Sequence, residues 1–134
     1  MFSAKVAWQK ELQFNGQADS QHTITVDGDG KKGNSPMELI LIALCGCTAS
    51  DVAIILQKKR QPVTALEVTA QAEKAPEPPR VYKEIRLTYR VKGRVSRKAI
   101  EDAVRLSAGK YCSVSAMLQH TAKLAYDIIL DSDA

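Results

Sequence analysis

The segment of residues 36–59 constrains the fold most, because much of it is apolar on every side. Ser35 and Glu38 have the spacing of a capping box and Pro36 suits the first helical position, so we predict a helix over this segment. Residues 39–48 place apolar groups all around that helix, a pattern typical of complete burial. A chain of 134 residues has too small a core to cover such a helix by itself. We therefore predict a homodimer in which a second copy covers the rest of the helix.

On either side of this helix, segments that alternate apolar and polar residues predict strands, and segments with apolar residues at helical spacing predict helices. With the long helix included, the predicted order is βββ-α-ββ-αα-β. This order predicts an α+β fold, with helices segregated from antiparallel strands, in a single domain over residues 1–134. The predicted strands cover residues 2–9, 12–14, 22–27, 66–72, 85–91 and 125–130. Two shorter helices are predicted to begin at Ser96 and near Cys112. Asn15-Gly16 is expected to end the second strand, and Gly109 to cap the first of the short helices.

Charge and composition narrow the function classes. The formal net charge is +4 and the basic residues are scattered, so nucleic-acid binding is not expected. The N-terminus lacks the pattern of a secretory leader. The uncharged apolar stretch, residues 39–50, is shorter than the ~18–20 residues of a spanning helix. We therefore expect a cytoplasmic protein without a membrane segment, whose three cysteines form no structural disulfide framework.

The cysteines are the candidate reactive groups. Cys45 and Cys47 lie two residues apart on the predicted helix, so they point to nearly opposite sides and cannot serve one site. Cys47 shares its face with Asp51, whose carboxylate opposes ionisation of the thiol, and alone it has the features of an inert core residue. Cys112 opens a helix, where a thiolate is stabilised, although a small apolar cap residue explains it equally well. Cysteines and histidines lack zinc-finger spacing, so neither a metal nor a cofactor is expected.

Two motifs, taken together, resemble the OsmC/Ohr family. Ser35-Pro36-Met37-Glu38-Leu39 leads to Gly46-Cys47 within one apolar helix, and Tyr111-Cys112-Ser113-Val114-Ser115 follows later. Members of that family have a Pro-Glu helix start, an Ala/Gly-Cys pair in mid-helix and a later Cys-Pro-x-Ser. The fuller strings at 35–38 and 110–114 resemble the YhfA-type branch of OsmC-like proteins.

The resemblance implies an intertwined homodimer with long central helices wrapped by antiparallel sheets. It also implies a thiol-dependent peroxidase that reduces organic hydroperoxides. In that chemistry Cys47 attacks the peroxide and becomes a sulfenic acid, Cys112 condenses with it to a disulfide, and a dithiol reductant reopens the bond. Cys45 has no counterpart in the family pattern.

The activating residues of this chemistry are not matched. Peroxidases of the family use an arginine from the N-terminal strands and a glutamate directly after the helix-start proline. Here no arginine precedes Arg60, and Met37 follows Pro36. Ser113 replaces the proline after the second cysteine. We therefore expect Cys47 to react only slowly with organic hydroperoxides.

Two other functions are compatible with parts of the pattern. A non-catalytic dimer of the same fold would bind a small apolar ligand at its interface or sense redox state through its thiols. A hot-dog-type acyl-thioester enzyme also wraps a sheet around a long helix, but a cysteine pair has no role in it. A helix between two β segments also fits the OsmC/Ohr arrangement better. Rapid formation of a disulfide after dilute peroxide would separate a peroxidase from a ligand-binding protein.

Overall fold

A computed structural model describes residues 1–131 and confirms the predicted order of helices and strands. The elements are β1 (Ala4–Lys10), β2 (Gln13–Ala18), β3 (Thr23–Asp27), α1 (Pro36–Lys58), β4 (Val63–Lys74), β5 (Tyr82–Gly93), α2 (Arg97–Leu106), a π-helical turn (Ser107–Tyr111), α3 (Ser113–Leu118) and β6 (Lys123–Asp131). The chain forms two compact units, residues 1–42 and the part from Ala43 onward. A single domain over residues 1–134 stays a prediction.

The first unit contains an antiparallel meander, β1-β2-β3. Its register sets Gly16 of the central strand between Val6 and Ile24, and Phe14 between Trp8 and Val26. Because residues directly opposite each other lie on the same side of a sheet, these side chains form one apolar face. We call it the apolar face of the first sheet, and it consists of Val6, Trp8, Phe14, Ile24 and Val26.

Asn15-Gly16 does not end the second strand, as the sequence had led us to expect. Gly16 is buried in the middle of β2 and pairs with both neighbouring strands. A Cβ atom added there would lie 3.2 Å from the Ile24 side chain. The second strand ends instead at Ala18, and Gln21, with a positive φ of 67°, lies in the turn to β3.

The predicted helix start is confirmed. Ser35 Oγ accepts a hydrogen bond from the Glu38 amide at 3.3 Å, and Glu38 Oε1 accepts one from the Ser35 amide at 2.9 Å. This reciprocal pair is a capping box, which satisfies backbone donors that the first turn leaves free. The helix begins at Pro36 and ends at Lys58, one residue before the predicted end.

The second unit contains a mixed sheet of order β4-β5-β6. β4 and β5 are antiparallel, but β6 runs parallel to β5, which corrects the expectation of purely antiparallel strands. The reason lies in the connection, because α2, the π-helical turn and α3 carry the chain back to the starting end of β5 before β6 begins. Parallel neighbours require a crossover of this kind.

One stripe of α1 completes the core of the second unit. Its buried residues, Leu44, Thr48, Val52 and Leu56, recur every four positions and therefore share one side of the helix. From β5 the apolar side chains Ile85, Leu87, Tyr89 and Val91 are buried, and from α2 Ile100 and Ala103.

The other sides of α1 are not buried within the described chain. Ile42 and Ile54 are each about half exposed. By length and composition alone α1 is apolar enough to cross a membrane. Core helices of soluble proteins pass the same test. The prediction that α1 is buried on every side therefore holds for one stripe of the helix. Burial of its other sides would require a surface outside the described chain.

Gly109 does not cap α2, because the chain continues from Leu106 into the π-helical turn. The turn closes with a hydrogen bond from the Cys112 amide to the Ser107 carbonyl at 2.8 Å. Cys112 then serves as the N-cap of α3, so the predicted start of a helix at this cysteine is confirmed. π-Helical turns occur frequently at functional sites.

Candidate functional site

The second unit brings Cys47, Asp51 and Cys112 together. The two sulfur atoms and a carboxylate oxygen of Asp51 all lie within 4.8 Å of one another. Cys47 and Asp51 stand one turn apart on α1, so their side chains project from the same side of the helix. Cys112 reaches the pair from the junction between the π-helical turn and α3.

Cys112 is almost fully buried, whereas Cys47 is half-buried. Burial raises the pKa of the Cys112 thiol, and the neighbouring Cys47 thiol raises it further. Ser115 acts in the opposite direction and lowers the pKa of Cys112. Its backbone amide donates a hydrogen bond to Cys112 Sγ at 3.4 Å, as expected of the first turn of α3.

A chain of buried hydroxyl groups holds the Asp51 carboxylate. Ser107 Oγ donates to Asp51 Oδ2 at 2.9 Å and lies 2.8 Å from Thr48 Oγ1. Thr48 Oγ1 in turn lies 2.7 Å from the Tyr89 hydroxyl. Burial is the main cause that raises the pKa of Tyr89 far above its ordinary value, so the phenol stays neutral. The chain therefore runs without a charged group from β5 to the carboxylate beside the thiols.

Cys45 stands apart from this cluster. It is half-buried on α1, and burial raises the pKa of its thiol. The thiols that approach Asp51 in the described part of the chain are Cys47 and Cys112. This separation agrees with the expectation that residues two apart on a helix serve different sites.

The arginines with described contacts pair with carboxylates elsewhere. Arg86 binds Asp127 at 2.7 Å, and about half of its side chain is exposed. Arg90 binds Asp131 at 3.2 Å in the same way. A carboxylate oxygen of Asp51 lies beside both thiols.

Sequence reasoning named the two cysteines and noted that Asp51 shares a face with Cys47. It missed Ser107, Thr48 and Tyr89, which come from different elements and meet only in the folded unit. A weak signal existed, because Thr48 is a polar residue within the apolar stretch of α1. Buried polar side chains require partners, so its position could have prompted a search for them.

Comparisons with known proteins place the chain in a family. A family model described as OsmC-like protein matches residues 28–127. Protein YhfA of Escherichia coli strain K12 is 43% identical over 130 residues, covering 94% of this chain and 97% of that protein. The crystal structure of a hypothetical protein from Aquifex aeolicus VF5 has a TM-score of 0.92 and 32% identity, covering 100% of this chain and 98% of that one.

A more distant likeness concerns the fold alone. OhrB of Bacillus subtilis, named as an organic hydroperoxide resistance protein, has a TM-score of 0.68 and 13% identity. The match covers 95% of this chain and 98% of OhrB. The mixed helix-and-sheet architecture, the family model and the extended identity to YhfA agree, and the chain belongs to the OsmC-like protein family.

Proposed function

We propose that this protein is a thiol-dependent peroxidase that reduces organic hydroperoxides slowly through Cys47 and Cys112. The observation that carries the proposal is the approach of the two sulfur atoms, which lie within 4.8 Å of each other although their residues are distant in sequence. Family membership supports the same chemistry, and the printed name of OhrB supplies the substrate class.

The reaction divides between the two thiols. The Cys47 thiolate attacks one peroxide oxygen, the O–O bond breaks, and the alkoxide takes a proton and leaves as an alcohol. Cys47 is then a sulfenic acid, and the Cys112 thiol displaces its hydroxyl group as water to form the disulfide. A dithiol reductant reopens the disulfide by exchange and restores both thiols.

Differences in burial support this division of roles. Cys112 is 3% exposed, so a hydroperoxide has little access to its sulfur, whereas Cys47 is half-buried. Burial also raises the pKa of Cys112, which suits a thiol that waits for a sulfenic acid rather than one that meets the peroxide first.

A low rate follows from the charge around the site. A peroxidatic site stabilises the negative charge that develops on the leaving oxygen, and arginine does so with a permanent charge and several donors. Arg86 and Arg90 are engaged with Asp127 and Asp131 on the surface. A carboxylate oxygen of Asp51 lies within 4.8 Å of both sulfur atoms, and its charge opposes the charge that develops on the leaving oxygen.

We further propose that the protein acts as an intertwined homodimer in the cytoplasm. The exposed side chains on α1 and the apolar face of the first sheet support a second copy as their cover, since exposed apolar patches commonly mark interaction sites. The same surfaces favour the second candidate function, a non-catalytic dimer that binds a small apolar ligand or senses redox state.

Stopped-flow oxidation of the reduced protein by cumene hydroperoxide, followed by mass spectrometry, tests the proposal. We expect slow formation of one Cys47–Cys112 disulfide per chain, which is lost in Cys47→Ser and retained in the matched Cys45→Ser control. In Cys112→Ser, a sulfenic acid should persist on Cys47. If the wild type forms no disulfide while free thiols in the same solution are oxidised, the non-catalytic dimer is the better description.

A further inference from the structure

The set of donor atoms at Cys47, Asp51 and Cys112 also fits a metal ion. We propose that the reduced protein binds one Zn²⁺ per chain through the two sulfur atoms and a carboxylate oxygen of Asp51. This inference goes beyond the peroxidase reaction and does not depend on it. It also departs from the sequence expectation of no metal, because the three residues lack any short-range motif and meet only in the folded unit.

The chemistry of the donors favours zinc. Thiolate and carboxylate groups are established Zn²⁺ ligands, with bond lengths of about 2.3 Å to sulfur and 2.0–2.2 Å to oxygen. Donors that share a zinc ion therefore lie within about 4 Å of one another. The three atoms already lie within 4.8 Å, so a small closing movement brings them to bonding distance. Magnesium and calcium prefer oxygen ligands throughout and suit this set poorly.

Hydrogen bonds behind the cluster hold the carboxylate in place. Ser107 donates to one oxygen of Asp51, and Thr48 and Tyr89 continue the chain behind Ser107. Thr48, Ser107 and Tyr89 are each at most 1% exposed, so this support is rigidly packed. Partners of this kind orient metal ligands and raise their affinity.

Ser115 supplies a second, independent observation. Its hydroxyl is a buried side-chain oxygen without a well-formed hydrogen bond within residues 1–131, although it interacts with the Cys112 thiol, and its amide donates to Cys112 Sγ. Leaving a buried hydroxyl unpaired is costly. A metal-bound thiolate is a stronger acceptor than a neutral thiol. With zinc bound, the Cys112 sulfur would be a thiolate, and the amide and hydroxyl of Ser115 could both donate hydrogen bonds to it.

Zinc binding and disulfide formation use the same sulfur atoms and exclude each other. Where the peroxidase proposal also holds, two thiolates, one hydroperoxide and two protons from solvent give the disulfide, an alcohol and water. The zinc ion then loses both sulfur ligands and is released. This last step rests on the proposed function, whereas binding by the reduced protein does not.

Competition between the full-length reduced protein and a chromophoric chelator measures the affinity for Zn²⁺. We expect one ion per chain, a loss of more than about 100-fold in Cys47→Ser and Cys112→Ser, and about tenfold in Ser107→Ala, which acts through Asp51. Asp51→Asn should fall between these values. Cys45→Ser, and Asp127→Asn at a half-exposed carboxylate of β6, are matched controls that should bind as the wild type does. Cobalt substitution should add sulfur-to-metal charge-transfer bands.

Absence of stoichiometric binding by the wild type overturns the proposal, as does binding that survives in Cys47→Ser or Cys112→Ser. Circular dichroism checks that each variant is folded. Should a variant fail to fold, alkylation of the wild type decides, because Zn²⁺ should protect Cys47 and Cys112 but leave Cys45 unchanged. Zinc binding without peroxide-driven disulfide formation would refute the peroxidase alone, and the reverse result would refute the metal site alone.

Discussion

The two sheets carry the same alternation of apolar and polar side chains, but only one of them buries its apolar side. In β5, Ile85 is 1% exposed, and Leu87, Tyr89 and Val91 are completely buried. On the apolar face of the first sheet, Trp8 is 68% exposed, Val6 60% and Ile24 46%. The sequence pattern alone does not distinguish the two cases.

The difference shows what an alternating pattern determines. Alternation fixes which side of a strand is apolar, but a separate element must supply the surface that covers it. In the second unit α1 and α2 supply buried residues to the same core as β5. For the first sheet the proposed cover is a second copy of the chain, and the comparison can be tested one sheet at a time.

Truncating the core of the second sheet should have the largest effect. Leu87→Ala removes a completely buried side chain and should lower the free energy of unfolding by about 2–5 kcal/mol. Leu12 of the first unit, 46% exposed, offers the matched change, for which we expect about 1 kcal/mol or less. Urea denaturation at several protein concentrations measures both. Equal losses at high dilution would show that the two regions do not differ as their burial indicates.

A charge on the apolar face of the first sheet should affect association more than folding. Ile24→Lys places an ammonium group where the proposed dimer buries an apolar side chain, at a cost of about 1.5–3 kcal/mol. Because each dimer carries two such groups, this corresponds to a rise of roughly 100-fold or more in the dimer dissociation constant. Thr25→Lys introduces the same charge on the opposite side of β3. Sedimentation from high to low micromolar concentration should show dissociation of the first variant and not of the second, and a wild-type monomer would refute the dimer.

The sequence predicted features that depend on neighbouring residues. The capping box of Ser35 and Glu38 and the helix start at Cys112 follow from local rules, and the structure confirms both. The direction of β6 and the burial of Gly16 depend on pairing between distant segments, and there the expectations were wrong.

The candidate site divides in the same way. Family motifs pointed to Cys47 and Cys112, but Ser107 and Tyr89 carry no motif. They join the site because a π-helical turn and a β strand bring them to α1. No motif indicates the proposed metal site either, since donors from α1 and from the start of α3 have no fixed spacing.

The smallest effect we predict concerns two carboxylates, one in each unit. Hydrogen bonds from the backbone amides of Lys32 and Asp29 hold the pKa of Asp27 below its ordinary value of 3.8. For Asp102 on α2, Lys98 is the main cause of a lowered pKa, and Arg105 contributes. A lowered pKa in the folded state means that each group stabilises the protein above its ordinary pKa. That contribution is lost as the pH falls through the folded value.

Salt should separate these two contributions. The donors to Asp27 are backbone amides around a side chain that is almost fully buried. Asp102 instead faces lysine and arginine side chains on the surface. Salt at 1 M, with a screening length of about 3 Å, weakens such surface ion pairs. At low salt, Asp27→Asn and Asp102→Asn should both flatten the fall in unfolding free energy between about pH 5 and pH 2. At 1 M NaCl the effect of Asp102→Asn should largely disappear. The effect of Asp27→Asn should persist, because two backbone N–H groups each need an acceptor and the side chain of asparagine offers only one oxygen. Urea titrations at both salt concentrations measure this, and equal loss of both effects would mean that surface charge rather than the fixed loop controls Asp27.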